Sequence, residues 1–192
     1  MTAVMKNRYM PDDAQTEPDS PDLVALWAQV REGDHQAFAR VYEACSGAVM
    51  GLCLRMTANR ATAEDCVQAT FIAAWEKRAS FRGDARLNTW LHRIAVNSVL
   101  GRGRSEGRLR EVIDEYAEQS PVEDLFGEGS DLDLERAIAQ LPERSRQVFV
   151  LHAIHGYKHN EVGEMMGIAS GTSKAHYHRS RELLQATLVR PS

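Results

Sequence analysis

An abrupt change in the sign of the charge is the feature that most constrains how this chain can fold. Residues 82–110 contain seven arginines against Asp84 and Glu106, whereas residues 111–135 contain ten carboxylates and no lysine or arginine. A run of like charges without counter-charges resists collapse into a core and favours an extended linker. We therefore predict two small domains, residues 21–104 and 132–192. A flexible acidic linker over residues 105–131 joins them, and residues 1–20 form a disordered acidic lead.

Composition favours helix in both domains. The chain is 43% hydrophobic and 26% charged, with few aromatic residues among many Ala, Leu, Arg and Glu, a mixture that suits helices better than sheets. The longest apolar run, residues 48–54, is far shorter than the roughly 20 residues that a membrane span needs. Residues 1–20 lack the apolar segment of a signal peptide. We expect an all-α, cytoplasmic protein.

Apolar spacing predicts the helices of the first domain. Two helices cover residues 22–30 and 38–52, and Thr62 is the predicted N-cap of a third. Thr89 is the predicted N-cap of a fourth helix, which should fray at residues 101–103, where two glycines weaken it. The first domain is thus expected to be a four-helix unit.

The third helix has a clear division between core and surface. Val67, Phe71 and Trp75 recur at intervals of four residues and predict its core face. Asp65 and Gln68 fall away from that stripe, so we expect them to be available to a partner.

The second domain carries the pattern of a helix-turn-helix. Helical spacing begins at residues 132–141 and continues to Gly156, a predicted C-cap. A short apolar helix then precedes a turn at Gly167, and a polar, basic helix follows at residues 172–188. Two short helices across a glycine turn, with the second one basic, are typical of a motif that places a helix in the DNA major groove.

Metal binding and catalysis find little support in the sequence. His152, His155 and His159 lie at helix-like intervals, but the glycine at position 156 interrupts them and no cysteine or paired carboxylate joins them. The three cysteines form no Cys-X-X-Cys pair and are expected to be buried thiols. Nucleophile elbows, HExxH motifs and phosphate-binding glycine loops are absent from the sequence. We expect no metal, no cofactor and no enzymatic activity.

Several of these segments together resemble a known family. The runs are Ala63-Glu64-Asp65-Cys66-Val67-Gln68-Ala69-Thr70-Phe71, Phe81-Arg82-Gly83, Thr89-Trp90-Leu91-His92-Arg93-Ile94-Ala95-Val96-Asn97, Leu141-Pro142-Glu143-Arg144 and Gly171-Thr172-Ser173-Lys174. In this order they resemble regions 2 and 4 of the extracytoplasmic-function (ECF) group of sigma-70 factors. The resemblance covers about residues 22–104 and 132–188.

The resemblance implies a division of roles among the residues. Core RNA polymerase would be contacted by Asp65, Gln68 and Thr70. The minus-ten element would be contacted as a single strand by Arg82, Arg86, Asn88, Arg93, Asn97, Arg102 and Arg104. The minus-thirty-five element would be contacted as a duplex by Thr172, Ser173, Lys174, His176, Tyr177, His178, Arg179 and Arg181. Promoter DNA and core polymerase are therefore expected partners, together with an anti-sigma factor.

Some alternatives stay open at this point. Trp75 and Trp90 could serve as stacking platforms for bases, although their apolar stripes favour a place in the core. His176 could read bases or simply pack. The chain departs from the family pattern at Lys158 and Gly163, which puts the stability of the helix-turn-helix in question. A helix-turn-helix regulator and a sigma-like adaptor without promoter melting are the competing functions.

Overall fold

A computed structural model describes residues 21–83, 86–110 and 132–188, with side chains throughout except at Pro21, Leu132 and residues 103–110. Most of these residues are helical, and no strand occurs among them, so the expected all-α class is confirmed. The helices are α1 Pro21–Arg31, α2 His35–Thr57, α3 Arg60–Glu76, α4 Leu87–Arg110, α5 Leu132–Ala139, α6 Glu143–Phe149, α7 His159–Met166 and α8 Ser170–Leu188. A single π-helical turn, Val150–Ile154, extends α6. The predicted lead and most of the predicted linker lie outside the described residues.

Helix α2 is the centre of the first half, where it packs against α1, α3 and α4. The Asp34 carboxylate caps its start by accepting hydrogen bonds from the backbone N–H groups of Gln36 and Ala37, at 2.7 and 3.1 Å. By length and composition α2 could span a membrane. However, its buried residues belong to the hydrophobic core of this half, as those of a core helix do.

The starts of α3 and α4 differ from the prediction. Asn59, not Thr62, caps α3, because the Asn59 side chain accepts a hydrogen bond from the Thr62 N–H at 2.9 Å. Helix α4 begins at Leu87, so Thr89 lies inside its first turn. The same helix continues through Gly101 to Arg110, beyond the fraying point and the domain boundary at residue 104 that the glycines suggested. Packing of α4 against α2 and α3 outweighs the weak helical preference of glycine.

Aromatic rings complete the core of the first half beside the α3–α4 loop. Trp27 makes edge contacts with Phe81 and Trp90, at ring-centroid distances of 5.8 and 5.3 Å. Trp75 stacks on His35 at 4.3 Å. Both Trp75 and Trp90 pack against the hydrophobic core, which confirms the preference for core roles over stacking platforms.

In the second half α8 packs against α6 and α7. Gly167 ends α7 in the left-handed conformation, with φ of 68°. Gly163 allows α7 to approach the following turn, because a Cβ at this position would lie 2.7 Å from the Ile168 carbonyl oxygen. The glycine that departs from the family pattern is therefore required by the tight geometry here. The N–H of Lys158 donates to the Glu161 carboxylate at 2.6 Å, which satisfies the start of α7.

The two halves pack directly on each other. Helix α2 contacts α5 and α6, and α4 contacts α7. One continuous hydrophobic cluster includes core residues of both halves. The predicted domains therefore share an interface.

Candidate nucleic-acid interface

Helix α8 has one buried and one exposed face. Ser173, Ser180 and Leu184 are buried on the side that meets α6 and α7. Residues 171, 174, 178 and 182 lie on the opposite side by helical register and are exposed. The outward face is therefore fixed by packing, and it can be compared residue by residue with the prediction.

The structure places His176, which could read bases or simply pack, beside the buried face of α8, where it is partly exposed. Its imidazole faces α6, where Nδ1 lies 3.1 Å from the Ser145 hydroxyl. Burial lowers the pKa of His176, and the positive charges of Arg144 and Arg179 lower it further. Because the ring is turned inward and hydrogen-bonded to its own domain, it supports α8 from below.

Ser173 and Tyr177 also lie toward the inner side. The predicted DNA contact of Ser173 does not fit its burial, whereas Tyr177 remains partly exposed. Ser173 is fully buried, and its hydroxyl lies 3.0 Å from Nδ1 of His159. The Tyr177 ring stacks on Phe149 and meets His152 edge-on, at centroid distances of 6.1 and 4.7 Å. These side chains hold α8 to its neighbours.

The other predicted residues of α8 are exposed: Thr172, Lys174, His178, Arg179 and Arg181. Lys174 and His178 lie one turn apart on the outward face. The His178 ring is 3.5 Å from the Glu182 carboxylate, an ion pair when the imidazole is protonated. Arg144 at the start of α6 is exposed beside this surface. Sequence reasoning missed Arg144, and its position just after a predicted helix start was the available signal.

The residues predicted to contact the minus-ten element as a single strand lie on two different sides of α4. Arg93 and Asn97 are exposed and lie one turn apart, and Arg86 precedes the helix in the same register. Asn88 and Arg102 lie on the other side of α4, so the structure does not bring the whole set together. Arg82 is exposed in the loop before α4, and the side chain of Arg104 lies outside the described residues.

Helix α3 presents Asp65 and Gln68 to the surface, whereas Thr70 is fully buried. The Thr70 hydroxyl donates to the Cys66 carbonyl oxygen at 2.6 Å and lies 3.3 Å from the Ser98 hydroxyl. The predicted polymerase contact of Thr70 is therefore wrong, because the residue joins α3 to α4 inside the first half.

An ion pair links two residues that were predicted to meet different partners. Nη1 of Arg102 lies 2.7 Å from Oδ2 of Asp65, with both side chains partly exposed. Arg102 is thus engaged by α3. The pair braces α3 against α4, and a change at either residue affects both surfaces.

A shallow apolar groove runs between α2 and α3, with a volume of about 450 Å³. Its lining includes polar Gln68 and Glu64 and apolar Tyr42 and Ile72. Tyr42 and Ile72 are among the few large hydrophobic side chains that stay exposed in the described part of the chain. Sequence reasoning did not single out Ile72, although it follows the core residue Phe71 directly and so cannot share its face.

The histidines of the second half do not form a metal centre. His152 stacks on His159 at 3.9 Å, while His155 faces His92 of the first half at 4.3 Å. Among residues 21–83, 86–110 and 132–188, no group of three or more His, Cys, Asp or Glu could hold a metal ion. The three cysteines are buried thiols, and burial followed by the charge of Cys66 raises the pKa of Cys53 to about 12.

Fold and surfaces together define a class of protein: a helical unit with an exposed basic helix-turn-helix, joined to a helical bundle with its own arginine-bearing face. Two family models match these halves. Sigma-70 region 2 matches residues 41–109, and Sigma-70 region 4 matches residues 131–184.

Curated relatives extend the match over most of the chain. The ECF RNA polymerase sigma factor SigW of Bacillus subtilis is 33% identical over 83% of this chain and 93% of its own length. The ECF RNA polymerase sigma-E factor of Haemophilus influenzae is 31% identical over 84% of this chain and 92% of its own. The chain belongs to the ECF sigma factors of RNA polymerase, the sigma-70 family members that direct promoter recognition at the start of transcription.

Solved structures show the same architecture. The sigma factor RpoE of Bartonella quintana, in complex with the anti-sigma factor NepR, aligns with a TM-score of 0.55 at 26% identity, over 79% of this chain and 96% of that one. CnrH in complex with the cytosolic domain of CnrY aligns with a TM-score of 0.52 at 26% identity, over 89% and 99% of the two chains.

Proposed function

We propose that this ECF sigma factor docks on core polymerase through the α2–α3 groove, opens the minus-ten element with α4, and reads the minus-thirty-five duplex with α8. The observation that carries the proposal is the outward face of α8. It presents Lys174 and His178 to a partner while Ser173 and Tyr177 secure its inner side.

Duplex reading by α8 requires side chains that reach base edges and flanking cations that meet phosphates. Lys174 lies in the second turn of the helix and is exposed, as a base-reading residue must be. Arg179 and Arg144 lie beside the outward face and suit phosphate contacts. Since Gly163 gives α7 its close fit to the turn, the motif is well packed, which argues against an adaptor that has lost DNA binding.

Strand contact by α4 is assigned to Arg93 and Asn97, with Arg82 in the preceding loop. A positive, partly apolar surface suits single-stranded DNA, because the phosphates need cations and the bases need planar partners. Arg93 supplies a charge and a planar guanidinium on the exposed side of α4. The partly buried Trp90 packs against the core and positions the helix.

Docking on core polymerase is assigned to the groove at α2 and α3. Exposed Tyr42 and Ile72 provide apolar area, and Gln68 in the lining can hydrogen-bond. The groove is also a surface that an anti-sigma factor could cover, and we infer such a partner from the relatives solved with anti-sigma factors. We further infer that the protein works in the cytoplasm and has no catalytic activity of its own.

A pull-down titration with core polymerase tests the docking surface. Ile72→Asp should weaken binding at least tenfold, because it places a charge in the apolar groove. Val24→Asp is the matched control, since Val24 is an equally exposed apolar residue on α1 outside the groove. Equal binding by the two variants would reject the assigned surface.

Run-off transcription with core polymerase and a library of promoter fragments tests the function as a whole. The intact chain should select a subset of fragments with shared minus-ten and minus-thirty-five sequences. A chain that binds duplex DNA but never directs initiation would instead be a helix-turn-helix regulator.

A further inference from the structure

A buried hydroxyl group on α8 is paired with an imidazole of α7. Ser173 is fully buried, although serine usually stays at the surface. Its hydroxyl lies 3.0 Å from Nδ1 of His159, the first residue of α7. Because a hydroxyl can both donate and accept, this hydrogen bond forms with either neutral tautomer of the imidazole. The His159–Ser173 pair therefore joins the two helices of the helix-turn-helix at a point shielded from solvent.

A second imidazole holds His159 in place. Nδ1 of His152, in the π-helical turn, lies 2.7 Å from the carbonyl oxygen of Tyr157. A carbonyl oxygen only accepts, so Nδ1 of His152 carries the hydrogen and donates it. This bond fixes the His152 ring, and the His159 ring stacks on it at a centroid distance of 3.9 Å. The orientation of His159 is thus set by the turn that precedes α7.

Tyr177 provides a second contact between α8 and the two imidazoles. Its ring meets His152 edge-on at 4.7 Å and lies 5.7 Å from His159. Tyr177 follows Ser173 by four residues, and residues at that interval share one face of a helix. Helix α8 therefore contacts the imidazoles at two successive turns along one line, which restricts its rotation about its own axis.

The rotation of α8 decides where Lys174 points, because Lys174 follows Ser173 directly. Burial lowers the pKa of His159, and the charges of His152 and Lys174 lower it further, so Lys174 lies close to the pair. A rotation of α8 by about 20° would move a side-chain tip at a radius of about 6 Å by about 2 Å. Base contacts are hydrogen bonds of about 2.7–3.2 Å, and a displacement of that size breaks them.

We propose that the His159–Ser173 pair, supported by His152 and Tyr177, sets the rotation of α8 and thereby the base preference of this protein at the minus-thirty-five duplex. These are positioning residues, since they act through Lys174. The inference rests on the proposed reading of duplex DNA by α8. Changes to the pair should alter discrimination between sequences more than affinity for DNA in general, because phosphate contacts carry no sequence information.

Binding of the whole chain to two DNA duplexes tests the proposal. One is the duplex that wild type selects from a random library, and the other is a scrambled duplex of the same composition. His159→Phe keeps a ring against His152 but leaves the buried Ser173 hydroxyl without its partner. It should reduce the ratio of the two affinities by about tenfold or more, with little change on the scrambled duplex. Adding Ser173→Ala removes the unpaired hydroxyl and should restore most of the ratio.

Ser180→Ala is the matched control. It also removes a buried hydroxyl from α8, but one that donates to the backbone carbonyl oxygens of Ser145 and His176. This variant should lower the melting temperature and leave the affinity ratio unchanged.

Three results would overturn the proposal. His159→Phe could keep the wild-type ratio even though its melting temperature falls, which would make the pair a support of the fold alone. Adding Ser173→Ala could fail to restore the ratio, or Ser180→Ala could reduce it as much as His159→Phe does. A wild-type chain that selects no duplex from the library would instead reject the proposed reading by α8, and the role of the pair with it.

Discussion

Acid should separate the two halves of the protein, because the interface between them holds two imidazoles, His92 and His155, that burial keeps neutral. Burial and then the charge of Arg93 lower the pKa of His92 to about 4. Burial, His92 and Arg55 lower the pKa of His155 to about 3. Because these pKa values are low only while the two halves are packed together, the packed arrangement is fully stable where both imidazoles are neutral. This is the case above the ordinary histidine pKa of about 6.5. It loses stability, relative to the open form, as the pH falls below that value.

The size of the effect follows from these values. If opening returns both imidazoles to a pKa near 6.5, a fall from about pH 7.5 to about pH 5.5 shifts the opening equilibrium about tenfold for each histidine. The two together give about 100-fold, or about 2.7 kcal/mol at ~1.36 kcal/mol per unit. The size of this shift depends little on the pKa values of His92 and His155 in the packed arrangement, since both lie below the pH range of the measurement. The charged groups around the cluster are Arg55, Arg93 and Glu161, and the Tyr157 hydroxyl, whose pKa burial raises, stays neutral throughout this pH range.

The distance between fluorophores attached to Glu32→Cys and Gln185→Cys, one in each half, provides the assay, because the native cysteines are buried. The open fraction should rise between about pH 7.5 and about pH 5.5, with circular dichroism confirming that both halves remain helical. The double variant His92→Gln, His155→Gln should show a flat profile. A wild-type profile that matches the double variant would refute the link between these histidines and opening. His176 and His159 also have pKa values that are lowered chiefly by burial, but both lie within the second half. His176→Gln is therefore the control variant and should keep the wild-type profile.

Further predictions concern the helix-turn-helix. In thermal melts, Gly163→Ala should lower the free energy of unfolding by about 1–3 kcal/mol, because its Cβ would lie 2.7 Å from the Ile168 carbonyl oxygen. Gly171→Ala is the control and should be neutral or stabilising, because a Cβ there would have no atom within 4 Å. Lys174→Ala should cost about 1–3 kcal/mol on the preferred minus-thirty-five duplex and much less on others. Arg179→Ala should weaken binding to all duplexes alike, with a salt slope shallower by about one counterion. His176→Gln should leave sequence preference unchanged, and a changed preference would place His176 back in the groove.

Local signals in the sequence were enough for the helices and for the family. Apolar spacing repeats every three to four residues and is visible within a single element, so the core stripe of Val67 and Phe71 and the turn at Gly167 were found directly. The resemblance to regions 2 and 4 likewise depended on short runs of residues. The change of charge sign after Arg110 falls between the two matched family regions, residues 41–109 and 131–184.

Which side of a helix faces out was decided by tertiary packing. The family resemblance put Ser173 in the groove and Thr70 on the surface, yet Ser173 is buried beside His159 of α7 and Thr70 is buried beside Ser98 of α4. Helix α8 is polar on nearly every side, so its own sequence carries too weak a period to orient it. The start of α3 was misplaced for a related reason, since Asn59 and Thr62 are both good caps and the course of the preceding turn chose between them.

The interface between the halves was beyond the sequence altogether. Arg146 donates to Met56 O across 90 positions of the chain, and nothing near either residue marks the pair. Charge counting indicated two separate domains, because like charges near the junction repel one another. The sequence by itself determined the elements, their order and the family. Packing between elements distant in the chain decided which side chains are exposed, and it placed the second half on the helix assigned to promoter DNA.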